Sequence, residues 1–154
     1  MKYLFALACL FSLTVIQSSA VMAATVGEVR AEAEQYYQQG DYKNAYKQYL
    51  KLAKMGDHPS QEIIAKMYAN GEGKKESLVD AYAWSALAAE SGKEDYLEFS
   101  DNLLARNEDP AKAEKKAEKL IKKYGLETQR RKAEQSANRD PNRCIGSLLG
   151  CKKR

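Results

Sequence analysis

The stretch GDHPSQEIIAKMYANGEGKKESLVDAYAWSALAAESG, residues 56–92, reads as two amphipathic helices joined by a glycine-bearing loop. The first helix is predicted from about Pro59 to Ala69, and the second begins at Ser77 or Asp80, with apolar residues three and four positions apart in both. A pair of helices of this kind cannot bury its apolar face alone, so the flanking segments must supply packing partners. The stretch therefore predicts a larger all-helical fold.

Two more helices are predicted before this stretch. They run from Val26 to Gln38 and from Tyr42 to Met55, and Gly40-Asp41 ends the first and caps the second. The four helices form two related pairs, because aligning Gly56 with Gly92 superimposes small and aromatic positions. The matched residues are Ala45 with Ala81, Tyr46 with Tyr82, and Ala53 with Ala89.

A third, more divergent pair follows. Tyr96, Phe99 and Leu103 share one face of a predicted helix, and Pro110 opens another helix that Gly125 ends. Because about three helix pairs are the minimum for a continuous core in a stacked array, residues 26–125 are predicted to form one repeat domain.

Two motifs in these helices are specific. One reads Met67-Tyr68-x-x-Gly71-x-Gly73 and continues as Ala81-Tyr82-x-Trp84-x-x-x-Ala88-Ala89-x-x-Gly92, and the other reads Tyr37-x-x-Gly40-Asp41-Tyr42-x-x-Ala45. The first resembles a Sel-one-like repeat (SLR), and the second resembles the related tetratricopeptide repeat. The resemblance implies a right-handed α-solenoid of about three helix-turn-helix repeats, which binds proteins or peptides on its concave face and has no catalytic centre. The third pair departs from the pattern because it lacks the glycine loop.

The chain begins with a pattern typical of secretory signal peptides. Lys2 precedes an apolar run from Tyr3 to Ile16, and small residues surround a predicted cleavage site after Ala23. This run of 14 residues is shorter than the roughly 20 that a membrane-spanning helix needs. We therefore expect residues 1–23 to be removed, leaving a periplasmic or secreted protein without a transmembrane segment.

Residues 126–154 break the repeat and form a basic tail. Cys144 and Cys151 enclose two glycines that allow the chain to double back, so a disulfide loop is favoured in an exported protein. Two free thiols, or a bridge to another chain, are the alternatives. We predict no metal site, because these cysteines and His58 do not complete the four ligands of structural zinc.

Tyrosines dominate the aromatic residues of the first two units. Most are expected in the core, and a minority should line the groove formed by the first helix of each pair, where amphipathic rings make good peptide contacts. One of Tyr36 and Tyr37 is expected to face the core and the other the groove. The predicted partner-binding residues are Tyr36, Tyr37, Tyr68 and Asn70.

The sequence contains no convincing catalytic set and no cofactor motif, so it predicts a non-enzymatic interaction module of a bacterial-type cell envelope. Its partner would be a protein or peptide bound on the concave groove. An alternative is contact between the basic tail and an anionic surface or polymer, whereas export argues against nucleic acid. A β-lactam-binding or hydrolysing role is less favoured, because the repeats lack the internal cysteine pair of the related proteins linked to it.

Overall fold

The computed structural model describes residues 25–139. Helices account for 80% of this part of the chain and no strand occurs in it, which confirms the all-α prediction. The predicted signal peptide and the pair Cys144 and Cys151 lie outside the described residues. The helices are α1 (Val26–Gln38), α2 (Tyr42–Lys54), α3 (His58–Asn70), α4 (Leu78–Ala89), α5 (Glu94–Ala105), α6 (Pro110–Tyr124) and α7 (Leu126–Arg139).

Most helix starts carry a side-chain cap. Thr25 and Glu28 form a reciprocal capping box at α1, and Asp41 accepts a backbone N–H group at α2, as predicted. At α3, where the sequence offered Asp57 or Ser60, Asp57 is the cap. Ser77 is the residue that caps α4, where its side chain accepts from the Asp80 N–H at 3.2 Å. A cap of this kind contributes about 1 kcal/mol, so these local choices fix where each helix begins.

Helix α4 is the centre of the packing and contacts α3, α5 and α6. Four of the seven positions that helical spacing predicts to face inward are buried, namely Ala81, Trp84, Ser85 and Ala88, and the other three, Leu78, Tyr82 and Ala89, are half-buried. Leu87, which was not among the predicted positions, is fully buried as well. Helices α3, α5 and α6 all pack against α4, so more than one face of α4 is buried.

Side chains join the helices into two layers. Arg30 of α1 pairs with Asp57 at the start of α3, and Lys66 of α3 lies 5.6 Å from the ring centre of Phe99 on α5. In the other layer, the rings of Trp84 on α4 and Tyr124 on α6 stack with centroids 6.1 Å apart. We call α1, α3 and α5 the first-helix layer, and α2, α4 and α6 the second-helix layer.

The third helix pair differs from the first two. Helices α5 and α6 make little contact with each other, and α6 packs on α4 instead. Six helices, α1 to α6, therefore pack together, but α5 and α6 do not form a hairpin like α1–α2 or α3–α4. No helix between residues 25 and 139 has both the length and the apolar character needed to cross a bilayer.

Helix α7 turns away from the stack and lies across one end of it. The Leu126 N–H donates to Glu90 Oε2 at 3.1 Å, and Gln129 Nε2 donates to the Lys54 carbonyl oxygen at 3.0 Å. Most of α7 is exposed beyond these contacts. Helix α7 is therefore held mainly through its first turn.

Candidate functional site

The loop between α3 and α4 folds back against the start of α2. Gly73 has a φ of +70°, and a Cβ at this position would overlap the carbonyl group of Tyr42. The next residue, Lys74, places its Nζ 4.9 Å from the ring centre of Tyr46. This close approach directs Glu72 toward α1.

Glu72 brings two of the predicted binding residues together. The Tyr37 hydroxyl donates to Glu72 Oε2 at 2.7 Å, and Asn70 Nδ2 donates to Glu72 Oε1 at 3.2 Å. Burial, followed by the Glu72 carboxylate, raises the pKa of Tyr37 to about 12. The hydroxyl therefore keeps its proton at neutral pH and remains a donor.

The other two predicted binding residues make different contacts. The hydroxyl of Tyr68 is 2.8 Å from that of Tyr46, and the two rings meet edge to face with centroids 5.7 Å apart. Burial raises the pKa of Tyr46. Tyr36 is half-buried against the core, as is Tyr37, so the structure does not divide this doublet into one inward and one outward ring.

A pocket of about 320 Å³ lies between α1 and α3. Four residues of α1 line it, from Gly27 to Glu34, and their spacing of three, one and three places them on one face of that helix. Tyr37 follows Glu34 by three residues. On α3, Ile63 lies two turns before Asn70 on the same face. The residues that line the pocket are Gly27, Arg30, Ala31, Glu34, Tyr49 and Ile63.

The pocket and the Glu72 contacts lie along one surface, which we call the α1–α3 groove. It runs from Arg30, Ala31 and Glu34 on α1, over Tyr49 and Ile63, to Tyr37, Asn70 and Glu72. Sequence reasoning found Tyr37 and Asn70 but missed Ala31, Glu34 and Glu72. Helical spacing back from Tyr37 would have found Glu34 and Ala31, whereas nothing in the sequence shows that Glu72 turns toward α1.

Hydrogen bonds hold a carboxylate at the rim of the pocket. The Tyr49 hydroxyl donates to Glu34 Oε2 at 2.7 Å, and Gln38 Nε2 donates to Glu34 Oε1 at 2.9 Å. Both bonds, that of Tyr49 first, lower the pKa of Glu34. Arg30, which is paired with Asp57, also lines the pocket. The pocket therefore presents apolar walls, one guanidinium and one ionised carboxylate.

The two helix layers carry opposite charge. Helices α1, α3 and α5 contain eight carboxylates and two basic side chains. Both of those basic side chains, Arg30 and Lys66, form ion pairs. Helices α2, α4 and α6 contain ten lysines and three carboxylates, and all ten lysines are exposed. The groove therefore lies mainly between acidic helices, and the lysines are concentrated on α2 and α6.

The single histidine has a structural partner. Gln61 Nε2 donates to the Ala53 carbonyl oxygen at 3.0 Å, so Gln61 Oε1 accepts from His58 Nδ1, which is 3.0 Å away. Ser60 Oγ donates to Asp57 and not to His58. The serine, histidine and aspartate that begin α3 are thus bonded as a helix cap, and His58 is not placed to take the proton of Ser60.

No protein-family model matches this sequence, and no curated protein matches it significantly. The resemblance to Sel-one-like and tetratricopeptide repeats therefore rests on the motifs quoted above and stays a prediction.

Proposed function

We propose that the chain is a non-enzymatic interaction module of the cell envelope that binds a peptide segment of a partner protein in the α1–α3 groove. The observation that supports this most is the groove itself, in which an apolar pocket lies between α1 and α3, and Tyr37 and Asn70 of the same two helices are joined through Glu72. Export, to the periplasm or beyond the cell, follows from the signal-peptide pattern of residues 1–23.

The proposal includes a right-handed solenoid built from the helix pairs. Its support is the order of contacts from α1 to α5, in which α1 packs on α2, α2 on α3, α3 on α4 and α4 on α5. In addition, the contact of Arg30 with Asp57 connects α1 to the start of α3, and the contact of Lys66 with Phe99 connects α3 to α5. In such an array the first helices line one face, which is where the groove lies.

The chemistry of the groove suits an amphipathic segment. An apolar side chain that fills the pocket against Ala31, Ile63 and the Tyr49 ring would contribute about 1.5 to 3 kcal/mol. Asn70 and Glu72 offer polar atoms to the backbone or to a donor on the same segment. Because the groove is short and ordering a peptide costs free energy, we expect a dissociation constant on the order of micromolar.

The proposal assigns no catalytic role. The hydrogen bonds at the start of α3 support this, because Ser60 donates to Asp57 and His58 donates to Gln61. Ser60 is fully buried, and Asp57 accepts both its hydroxyl and its backbone N–H, so this serine serves the helix cap and is not accessible as a nucleophile.

Blocking the pocket should abolish peptide binding. Peptides would be selected from a displayed random library on the wild-type protein and their affinities measured by fluorescence polarisation. Replacing the exposed Ala31 with arginine fills the pocket with a long charged side chain, so we expect the affinity to fall by at least about tenfold, or 1.4 kcal/mol.

The matched control is Ala133→Arg, the same substitution at an exposed position in α7. This variant should bind the selected peptides within about twofold of wild type, a change within the usual effect of a distant surface substitution. Equal affinities of Ala31→Arg and Ala133→Arg, with both proteins folded by circular dichroism, would refute the proposed groove.

A further inference from the structure

Helix α5 presents a face that no other helix within residues 25–139 covers. This face forms a shallow depression of about 540 Å³ along the length of the helix. It is uncovered because α6 packs on α4 and α7 turns away toward the end of α2. We call it the α5 stripe, and its residues are Glu94, Leu97, Glu98, Asp101, Asn102 and Ala105.

The α5 stripe combines negative charge with an exposed apolar side chain. Helix α5 contains four carboxylates and neither lysine nor arginine. No ion pair between described residues includes Glu94, Asp95, Glu98 or Asp101. Leu97 lies among them and is 45% exposed. A complementary partner would therefore carry several cations around a few apolar residues.

The end of the same chain has that composition. Residues 140–154, DPNRCIGSLLGCKKR, contain four basic side chains and one acidic side chain. The basic residues flank the apolar residues Ile145, Leu148 and Leu149. The tail is therefore complementary in charge to the α5 stripe, where Leu97 lies between Glu94 and the pair Glu98 and Asp101.

The tail is also long enough to reach the α5 stripe. Leu126 is hydrogen-bonded to Glu90, four residues before α5 begins. From there α7 spans about 21 Å at 1.5 Å per residue, and the 15 residues that follow it can extend to roughly 50 Å. Even if α7 pointed directly away from α5, the segment could return to it.

We propose that residues 140–154 dock on the α5 stripe of their own chain. The four tail cations, at Arg143, Lys152, Lys153 and Arg154, contact the α5 carboxylates, and the tail apolar residues cover Leu97. A single exposed ion pair would be too weak to hold the segment. Tethering supplies an effective concentration on the order of millimolar, so several weak contacts suffice within one chain but not between dilute chains.

Docking places positive charge on the most acidic helix of the first-helix layer. The basic tail would then be engaged with its own chain and withheld from an anionic surface. This contact does not depend on the α1–α3 groove, so it can fail while the proposed peptide binding holds.

Zero-length carbodiimide crosslinking of the full chain tests the proposal. An equal mixture of ¹⁴N- and ¹⁵N-labelled protein at low micromolar concentration is crosslinked and digested, and linked peptides are identified by mass spectrometry. We expect links from Lys152 and Lys153 to Glu94, Glu98 and Asp101, formed within single chains. Raising the ionic strength to about 1 M should reduce them, because the screening length falls to roughly 3 Å.

A variant pair separates docking from chance encounters. Replacing Glu98 with glutamine and Asp101 with asparagine should lower the yield of the remaining links to Glu94 and Asp95 by about threefold or more. The matched control replaces the exposed Glu114 and Glu118 on α6 with glutamine and should leave those links unchanged.

Three outcomes would overturn the proposal. Links spread evenly over exposed carboxylates such as Glu32 and Glu127 would show no preference for α5. Links found only between ¹⁴N and ¹⁵N chains would assign the α5 stripe to a second copy. An absence of links from Lys152 and Lys153 to α5 would show that the tail does not dock there.

Discussion

Replacing Leu87 with alanine is expected to lower the free energy of unfolding by about 3 kcal/mol. Leu87 is fully buried in α4, the helix that contacts α3, α5 and α6. Removing its side chain leaves a cavity between helices that hold one another in place, so the loss combines the transfer energy of the deleted carbons with the cost of the cavity.

Urea denaturation measures this effect, and Trp84 supplies the signal. It is the single tryptophan, is 5% exposed, and stacks on Tyr124. The control is Leu97→Ala on α5, where the leucine is 45% exposed and the expected loss is about 0.5 kcal/mol. Similar losses in both variants would contradict the central position of α4.

Replacing Gly73 with alanine should cost about 2 to 3 kcal/mol, combining an unfavourable positive φ with a steric clash. Gly73 has a φ of +70°, and a Cβ would lie 2.8 Å from the carbonyl carbon of Tyr42. The new Cβ is fixed to the loop backbone and the Tyr42 carbonyl belongs to the backbone of α2. The clash can therefore be relieved only by moving the loop away from α2. We expect the loop to detach, which also separates Glu72 from Tyr37.

Gly92→Ala isolates the cost of the backbone angle. Gly92 has a φ of +74°, and a Cβ there meets no atom within 4 Å, so its cost should be near 1 kcal/mol. Both variants are compared by thermal and urea unfolding. Equal losses would show that the close approach to Tyr42 contributes nothing, and the loop would then not be fixed by packing.

The local features of the fold could be predicted from the sequence. Helix α1 runs from Val26 to Gln38 as expected, and Asp41 and Asp57 cap the next two helices. These predictions succeed because capping and helical spacing depend on residues within one or two turns. Each such segment contains the information that determines its own ends.

The features that the sequence did not predict depend on contacts between distant segments. The burial of Leu87 follows from the neighbours that surround α4, and the packing of α6 on α4 rather than α5 follows from side chains such as Trp84 and Tyr124. An apolar pattern shows which residues need a partner but does not identify the partner. The third pair was therefore predicted as a hairpin by analogy with the first two.

The candidate site also combines residues that could be predicted from the sequence with residues that could not. Tyr37 and Asn70 could be chosen because they end the first helices of two similar units, and the structure brings both to Glu72. Glu72 itself is placed by the loop, whose path is set by Gly73 against Tyr42. Tyr68 was predicted to line the groove as an amphipathic ring, and its hydroxyl lies 2.8 Å from that of Tyr46 on α2.

Binding in the α1–α3 groove is the central claim, and a ¹⁵N chemical-shift titration with a library-selected peptide tests it most directly. We expect saturable shifts at the backbone amides of Gly27, Ala31 and Ile63, which line the pocket, and at Asn70 and Glu72 at the other end. Saturable shifts confined to the lysine-bearing helices α2 and α6, or no saturable shift with a peptide that binds by fluorescence, would contradict it.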